Sequence, residues 1–141
     1  MAREKDARVR WVDGTQFVGE TGSGHAIVMD TQPPNGRNTG PSPMELLLVG
    51  LAGCTSVDVV SILQKKRQQV RTVEVRAHGV QREEPPNIYT QISIEYVVYG
   101  KGVSEKAVEQ AIELSETKYC SVAAMMNKVA NITKTFRVVE E

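Results

Sequence analysis

Two cysteines, Cys54 and Cys120, are the side chains of this sequence best equipped for covalent chemistry. A thiolate is a nucleophile, and two thiols brought together can form a reversible disulfide. On spacing alone two readings stay open. Either both cysteines are small core hydrophobes, the commonest fate of a free cysteine, or the fold brings them together as a redox pair. Cys120 falls at the start of a short helical segment, where helix-end N–H groups predict a lowered thiol pKa. Cys54 sits well inside a helix and gets no such help. It needs an arginine or lysine from elsewhere to ionise, and Asp58, one turn on, works against it.

Other chemistry is thin. His25 and His78 are the only histidines, both on strand-like segments with a polar face, where a solvated ring is the expectation. The sequence contains no HExxH, no CxxC and no glycine-rich phosphate loop. The two cysteines and two histidines match no compact zinc spacing, so neither metal nor cofactor is expected. An acyl-transfer triad would have to be assembled from scattered residues.

The element that positions Cys54 is a helix over residues 42–67. From Met44 to Cys54 every residue except Glu45 is apolar or small. A surface helix shows a polar face opposite its apolar stripe, and this one has almost none, so it reads as buried all round. Ser42 is placed to cap it, Pro43 sits at the first helical position, and Glu45 in the first turn suits the helix dipole. The basic run from Lys65 to Arg67 suits the other end. Gly50 and Gly53 do not fit an ordinary core helix, because an interior glycine costs about 1 kcal/mol relative to alanine. They flatten one face beside the thiol, which points to a close backbone approach or room for a small ligand.

Around this helix the pattern predicts strands. Residues 7–13 alternate, Asp13-Gly14 signals a hairpin turn, and residues 16–20 and 25–30 complete a meander. Residues 31–41 hold three prolines and two glycines; they read as a disordered connector or as a wall over a site beside the helix. Residues 70–81 and 88–99 predict a long antiparallel hairpin, with Ile92, Ile94, Tyr96 and Val98 facing inward. Ser104 caps a helix over residues 105–118, a shorter helix starts at Tyr119 or Cys120 and runs to Lys128, and residues 131–139 form a last strand. Three strands, a long helix, two strands, two helices and a strand make a single α+β domain over residues 1–141.

Composition sets the remaining bounds. The 17 basic residues balance 17 acidic ones, which removes the electrostatic case for nucleic acid or an anionic membrane. No apolar run comes near the roughly 18 residues of a membrane span, since Glu45 and Asp58 interrupt the central helix, and residues 1–10 carry no signal-peptide pattern. A cytoplasmic location follows as the expectation, with any disulfide transient. A helix apolar on all sides cannot be covered by one six-stranded sheet, and a two-fold copy of the chain is the economical partner.

Two motifs connect these readings to a known family. Ser-Pro-Met-Glu-Leu-Leu-Leu (residues 42–48), followed by Ala-Gly-Cys (residues 52–54), and the later Lys-Tyr-Cys-Ser-Val (residues 118–122) together resemble the OsmC/Ohr family, the osmotically induced and organic-hydroperoxide-resistance proteins. The element order fits along nearly the whole chain. Arg10-Trp11-Val12-Asp13-Gly14 and the stretch from Asp58 to Gln64 look most like the YhfA-type branch. The resemblance implies six strands in antiparallel sheets around the long buried helix, in an intertwined homodimer with sites at the subunit interface. It implies thiol peroxidase chemistry on organic hydroperoxides, with Cys54 as the peroxidatic cysteine, Cys120 as the resolving one, and an external dithiol as reductant. Glu45 matches the glutamate that holds an arginine over the reactive sulfur. No position matches that arginine cleanly, and Arg37 is the nearest candidate. Asp58 near the thiol and Ser121 in place of a proline are further departures. The alternative function is a non-enzymatic dimer that binds a small apolar ligand, with both cysteines inert.

Overall fold

The computed structural model describes residues 2–141. The chain divides into two compact units, one ending at Leu47 and one beginning at Leu48.

In the first unit, β1 (Ala7–Asp13), β2 (Gln16–Thr21) and β3 (Ala26–Met29) form an antiparallel meander in sequence order. The Asp13-Gly14 turn closes the first hairpin as expected. Gly14 takes the left-handed φ of +56° that such turns demand, and its carbonyl accepts the Trp11 indole N–H at 2.9 Å. Every residue of β1 is exposed.

Residues 31–41 are an ordered loop, built on the buried Asp30. The Asp30 carboxylate accepts from the Thr15 hydroxyl at 2.5 Å, the Thr39 hydroxyl at 2.6 Å and the Thr31 N–H at 2.7 Å, with a longer bond from the Thr39 N–H. The chain wraps so closely that a β-carbon on Gly36 would lie 2.2 Å from the Thr31 carbonyl oxygen. One on Gly40 would lie 2.3 Å from that of Val28.

The loop delivers the chain to α1 (Pro43–Lys65). Ser42 and Glu45 cap each other reciprocally. The Glu45 N–H donates to the Ser42 hydroxyl at 3.1 Å, and the Ser42 N–H donates to the Glu45 carboxylate at 2.9 Å. This is the full capping box, of which the sequence reading assigned only the serine half. The far end stops where Arg67 enters the left-handed region at φ +58° and Gln68 N–H reaches back to the Leu63 carbonyl.

In the second unit α1 continues, followed by β4 (Gln69–Gln81), β5 (Tyr89–Lys101), α2 (Glu105–Leu114), a π turn (Ser115–Tyr119), α3 (Ser121–Met126) and β6 (Asn131–Glu140). The core is apolar: Ile92, Ile94, Tyr96 and Val98 of β5, the Leu51, Val59 and Leu63 stripe of α1, and Val108, Ala111 and Ile112 of α2 are all buried. Fully burying one such aliphatic side chain stabilises by about 1.5–3 kcal/mol on transfer terms. The predicted helix over 105–118 is shorter, because its last turn widens into the π turn.

Three expectations are corrected here. The sheets are not all antiparallel: β5 pairs antiparallel with β4 but parallel with β6, with Ile92 opposite Ile132 and Tyr96 opposite Phe136. Parallel neighbours need a long crossover, and α2, the π turn and α3 provide it. Nor is α1 buried all round within one chain. Its four buried residues, Leu51, Thr55, Val59 and Leu63, recur every fourth position, while Val49 and Val57 are 63% and 70% exposed. By length and composition α1 is also apolar enough to cross a membrane, because two carboxylates do not break so apolar a stretch. The core helix of a globular fold passes the same test.

Candidate functional site

The site lies in the second unit, where α1 meets β5 and the π turn. Cys54 is half-buried on α1, one residue before the buried Thr55. Cys120 is buried and directly follows the π turn; its N–H donates to the Ser115 carbonyl at 2.7 Å, and its sulfur accepts the Ala123 N–H at 3.4 Å. Both thiols are free, and they lie near each other. Single wide turns of this kind are frequent at functional sites.

The sequence predicts a lowered pKa for Cys120, and the structure reverses it. Burial pushes the Cys120 thiol up to about 11, the Ala123 N–H opposes, and the bond to Cys54 and the charges of Cys54 and Asp58 push it further up. One N–H from a six-residue helix does not offset the loss of water. Cys120 therefore rests as a thiol.

Sequence reasoning missed the polar chain beside the pair. Ser115 Oγ donates to Asp58 Oδ2 at 2.8 Å, Thr55 and Ser115 hydroxyls share a hydrogen at 2.8 Å, and so do Thr55 and the Tyr96 hydroxyl at 2.8 Å. Each hydroxyl carries one hydrogen. Ser115 spends its hydrogen on Asp58, so Thr55 donates to Ser115 and Tyr96 donates to Thr55. The signal was present: Thr55, Ser115 and Tyr96 are polar groups at inward positions of otherwise apolar faces. Burial pushes the Tyr96 phenol up, the Thr55 bond opposes, and the charges of Cys120 and Asp58 add to the rise.

Asp58 at the end of this chain is only half-buried. It lines an open recess of about 420 Å³ with Val57, Ile62, Lys65, Leu114 and Tyr119. On the other side of Thr55 and Tyr96, an ion pair joins the half-buried Glu116 of the π turn to the exposed Lys134 of β6.

The other two predicted site residues belong to the first unit. Glu45 is engaged with Ser42 in the capping box, and Arg37 is exposed on the loop, ion-paired to Asp13 at 3.4 Å. Both histidines are exposed, as expected.

Residues 36–134 match the family model described as OsmC-like protein. The chain is 47% identical over 133 residues to Protein YhfA of Escherichia coli (strain K12), an alignment covering 94% of this chain and 97% of that one. A solved hypothetical protein from Aquifex aeolicus VF5 is 38% identical, with a TM-score of 0.89 over 99% of both chains. More distant in sequence, at 13% identity and a TM-score of 0.70, is an organic hydroperoxide resistance protein OsmC from Legionella pneumophila, covering 98% of this chain and 99% of that one. With one cysteine on the long helix, the other just after the π turn, and a family model spanning most of its length, the chain belongs to the OsmC-like family.

Proposed function

We propose that the protein is a thiol peroxidase acting on organic hydroperoxides. The observation that carries this reading is the nearness of a half-buried cysteine, Cys54, to a fully buried one, Cys120. A substrate reaches only the first, and the second waits beside it. The Cys54 thiolate attacks one peroxide oxygen, the O–O bond breaks, and the alkoxide leaves as the alcohol after taking a proton. Cys120 then attacks the Cys54 sulfenic sulfur, an S–S bond forms, and hydroxide leaves as water. An external dithiol restores both thiols by two exchange steps.

In this proposal Arg37 activates Cys54 and Glu45 holds that arginine. Arg37 would have to leave Asp13, which costs little because an exposed pair contributes about 0–1 kcal/mol. The working form is a homodimer and its location the cytoplasm. Support for a second copy comes from α1: side chains at Gly50 and Gly53 would meet no heavy atom within 4 Å, and Val49 and Val57 are uncovered.

Thiol counting tests the reading. One equivalent of an organic hydroperoxide should remove both thiols and give a faster-migrating monomer on non-reducing electrophoresis, and dithiothreitol should restore both. Unchanged thiols would leave the non-enzymatic ligand-binding dimer. A ladder of crosslinked chains would make the cysteines surface sites.

A further inference from the structure

We infer that Ser115 is the positioning residue of the thiol pair: it clamps the first residue of the π turn to the Cys54 turn of α1, and so holds Cys120, at the far end of the π turn, in place to attack Cys54. The inference rests on the redox-pair part of the function proposed above, but not on peroxide as the oxidant.

Ser115 makes three bonds, and they reach both cysteine-bearing segments. Its hydroxyl donates to Asp58 Oδ2 at 2.8 Å and accepts from the Thr55 hydroxyl at 2.8 Å. Thr55 directly follows Cys54 on α1 and Asp58 comes one turn after it, so the two grips bracket the stretch that begins at the thiol. The Ser115 carbonyl accepts the Cys120 N–H at 2.7 Å, the bond that closes the widened turn.

The clamp sits away from water. Ser115 and Thr55 are buried, and Thr55 is itself braced from β5 by the Tyr96 hydroxyl at 2.8 Å. Among the described residues of the π turn, the hydrogen bonds to α1 all come from Ser115. Thr117, Lys118 and Tyr119 are exposed, and Glu116 pairs with Lys134, which fixes the turn to β6 and not to α1. The clamp also gives Asp58 a role. Its charge beside the pair opposes ionisation of the thiols. As the acceptor for Ser115 it fixes their geometry instead, and misplacing a reacting group by about 1 Å costs on the order of a hundredfold in rate.

In the closing step Cys54 carries a leaving group. The Cys120 sulfur bonds to the Cys54 sulfur, the bond from Cys54 to that group breaks, and the group departs with its electron pair and takes up the Cys120 proton. Two thiols have then become one disulfide, and the two electrons end on the oxidant, an organic hydroperoxide or a disulfide reagent. Ser115 exchanges neither proton nor electron.

The test uses 4,4′-dithiodipyridine at one equivalent per chain. A first thiopyridone leaves as Cys54 forms a mixed disulfide. A second leaves as Cys120 displaces it, at a rate independent of reagent concentration. Ser115→Ala should keep the first phase near its wild-type rate and slow the second by about a hundredfold. Asp58→Ala should slow the second phase by about tenfold, although losing the charge by itself favours the thiolate. Asp58→Asn loses the charge too but keeps an oxygen for the Ser115 hydroxyl, so its second phase should be at least as fast as wild type. Because Asp58 acts through Ser115, adding Asp58→Ala to Ser115→Ala should slow nothing further. A Ser115→Ala second phase at the wild-type rate would overturn the proposal. So would an Asp58→Asn second phase as slow as that of Asp58→Ala, since something other than the hydrogen bond would then be at stake. If Ser115→Ala does not fold, the two Asp58 variants decide alone. A single thiopyridone from the wild type would reject the cysteine pair, and the clamp with it. Two thiopyridones and slowed variants in a protein that ignores hydroperoxides would keep the clamp and remove only the proposed substrate.

Discussion

The two units of this chain are held together by opposite means. From Leu48 onward the buried side chains are overwhelmingly apolar, from Leu51 on α1 to Ala130 before β6. Among the described residues before Leu48, no apolar side chain is buried at all, and the one buried side chain that organises its surroundings is the Asp30 carboxylate. Val9, Trp11, Val12, Ile27 and Val28 of that unit all stay more than a third exposed. Apolar burial is non-directional and tolerant of salt and pH, whereas a carboxylate holds its neighbours only while it is ionised. The second unit therefore carries a core of its own. The first carries a polar knot and an apolar surface still to be covered.

The sharpest way to break this contrast is to cut one side chain from each unit. Leu63 is fully buried, and Leu63→Ala should destabilise by about 2–5 kcal/mol in urea unfolding. Val9 is 56% exposed, and Val9→Ala should fall within about 0.5 kcal/mol if that strand stays solvated. A large cost at Val9 would mean the strand is covered in solution.

Gly53 asks the same question of the second unit's open face. In a lone chain Gly53→Leu meets nothing and should stabilise α1 by somewhat under about 1 kcal/mol, through helix propensity. Against a second copy it overpacks, costs about 1–3 kcal/mol, and splits the dimer. Light scattering with urea unfolding reads the sign, and a monomeric wild type together with a stabilised Gly53→Leu variant would remove the dimer from the proposal.

Acid should separate the units next. The bonds from Thr15 and Thr39 hold the Asp30 carboxyl far below its ordinary value, with burial opposing. A lowered folded pKa gives stability that is present above the unfolded value, near 4, and lost as pH falls toward the folded one. The amides of Thr31 and Thr39, both donors to Asp30, should therefore lose protection relative to their intrinsic exchange rates below about pH 4 while amides of β5 keep theirs. Asp30→Asn should show the same loss at neutral pH too. Equal loosening of β5 would mean the two units share one cooperative core.

How much of this was legible in the sequence depends on which physics wrote it. Periodicity exposed the strands, the inward face of β5 and the long helix, because apolar burial leaves a repeating mark. Local chemistry was readable too, in the Asp13-Gly14 turn and the Ser104 cap. Long-range polar pairing left little trace. Nothing local to Asp30 tells that Thr15 and Thr39 converge on it, or that Ser115 on the π turn reaches Asp58 on α1. The parallel β5–β6 pairing could have been read from the length of chain between the strands. The raised Cys120 thiol could not, since its cause is burial by elements distant in sequence.

A small expected effect on stability bears most directly on Cys54. The Arg37–Asp13 pair is exposed and 3.4 Å apart, so Arg37→Ala should change unfolding by less than about 1 kcal/mol, and less again in high salt. In the proposed role, however, Arg37 supplies the charge that Cys54 lacks from its own helix. Alkylation of Cys54 at neutral pH should then slow roughly three- to tenfold in Arg37→Ala, since a nearby cation favours the thiolate. Asp13→Asn frees the guanidinium from its resting partner and should speed the same reaction. The two variants pull in opposite directions on one thiol while leaving the fold alone, a pattern no general loosening of the loop would produce. If both alkylate at the wild-type rate, Arg37 serves only the loop that carries it, and the activating charge has to be sought among the cations of the second unit. Lys65, on the rim of the recess beside Asp58, is the first to try.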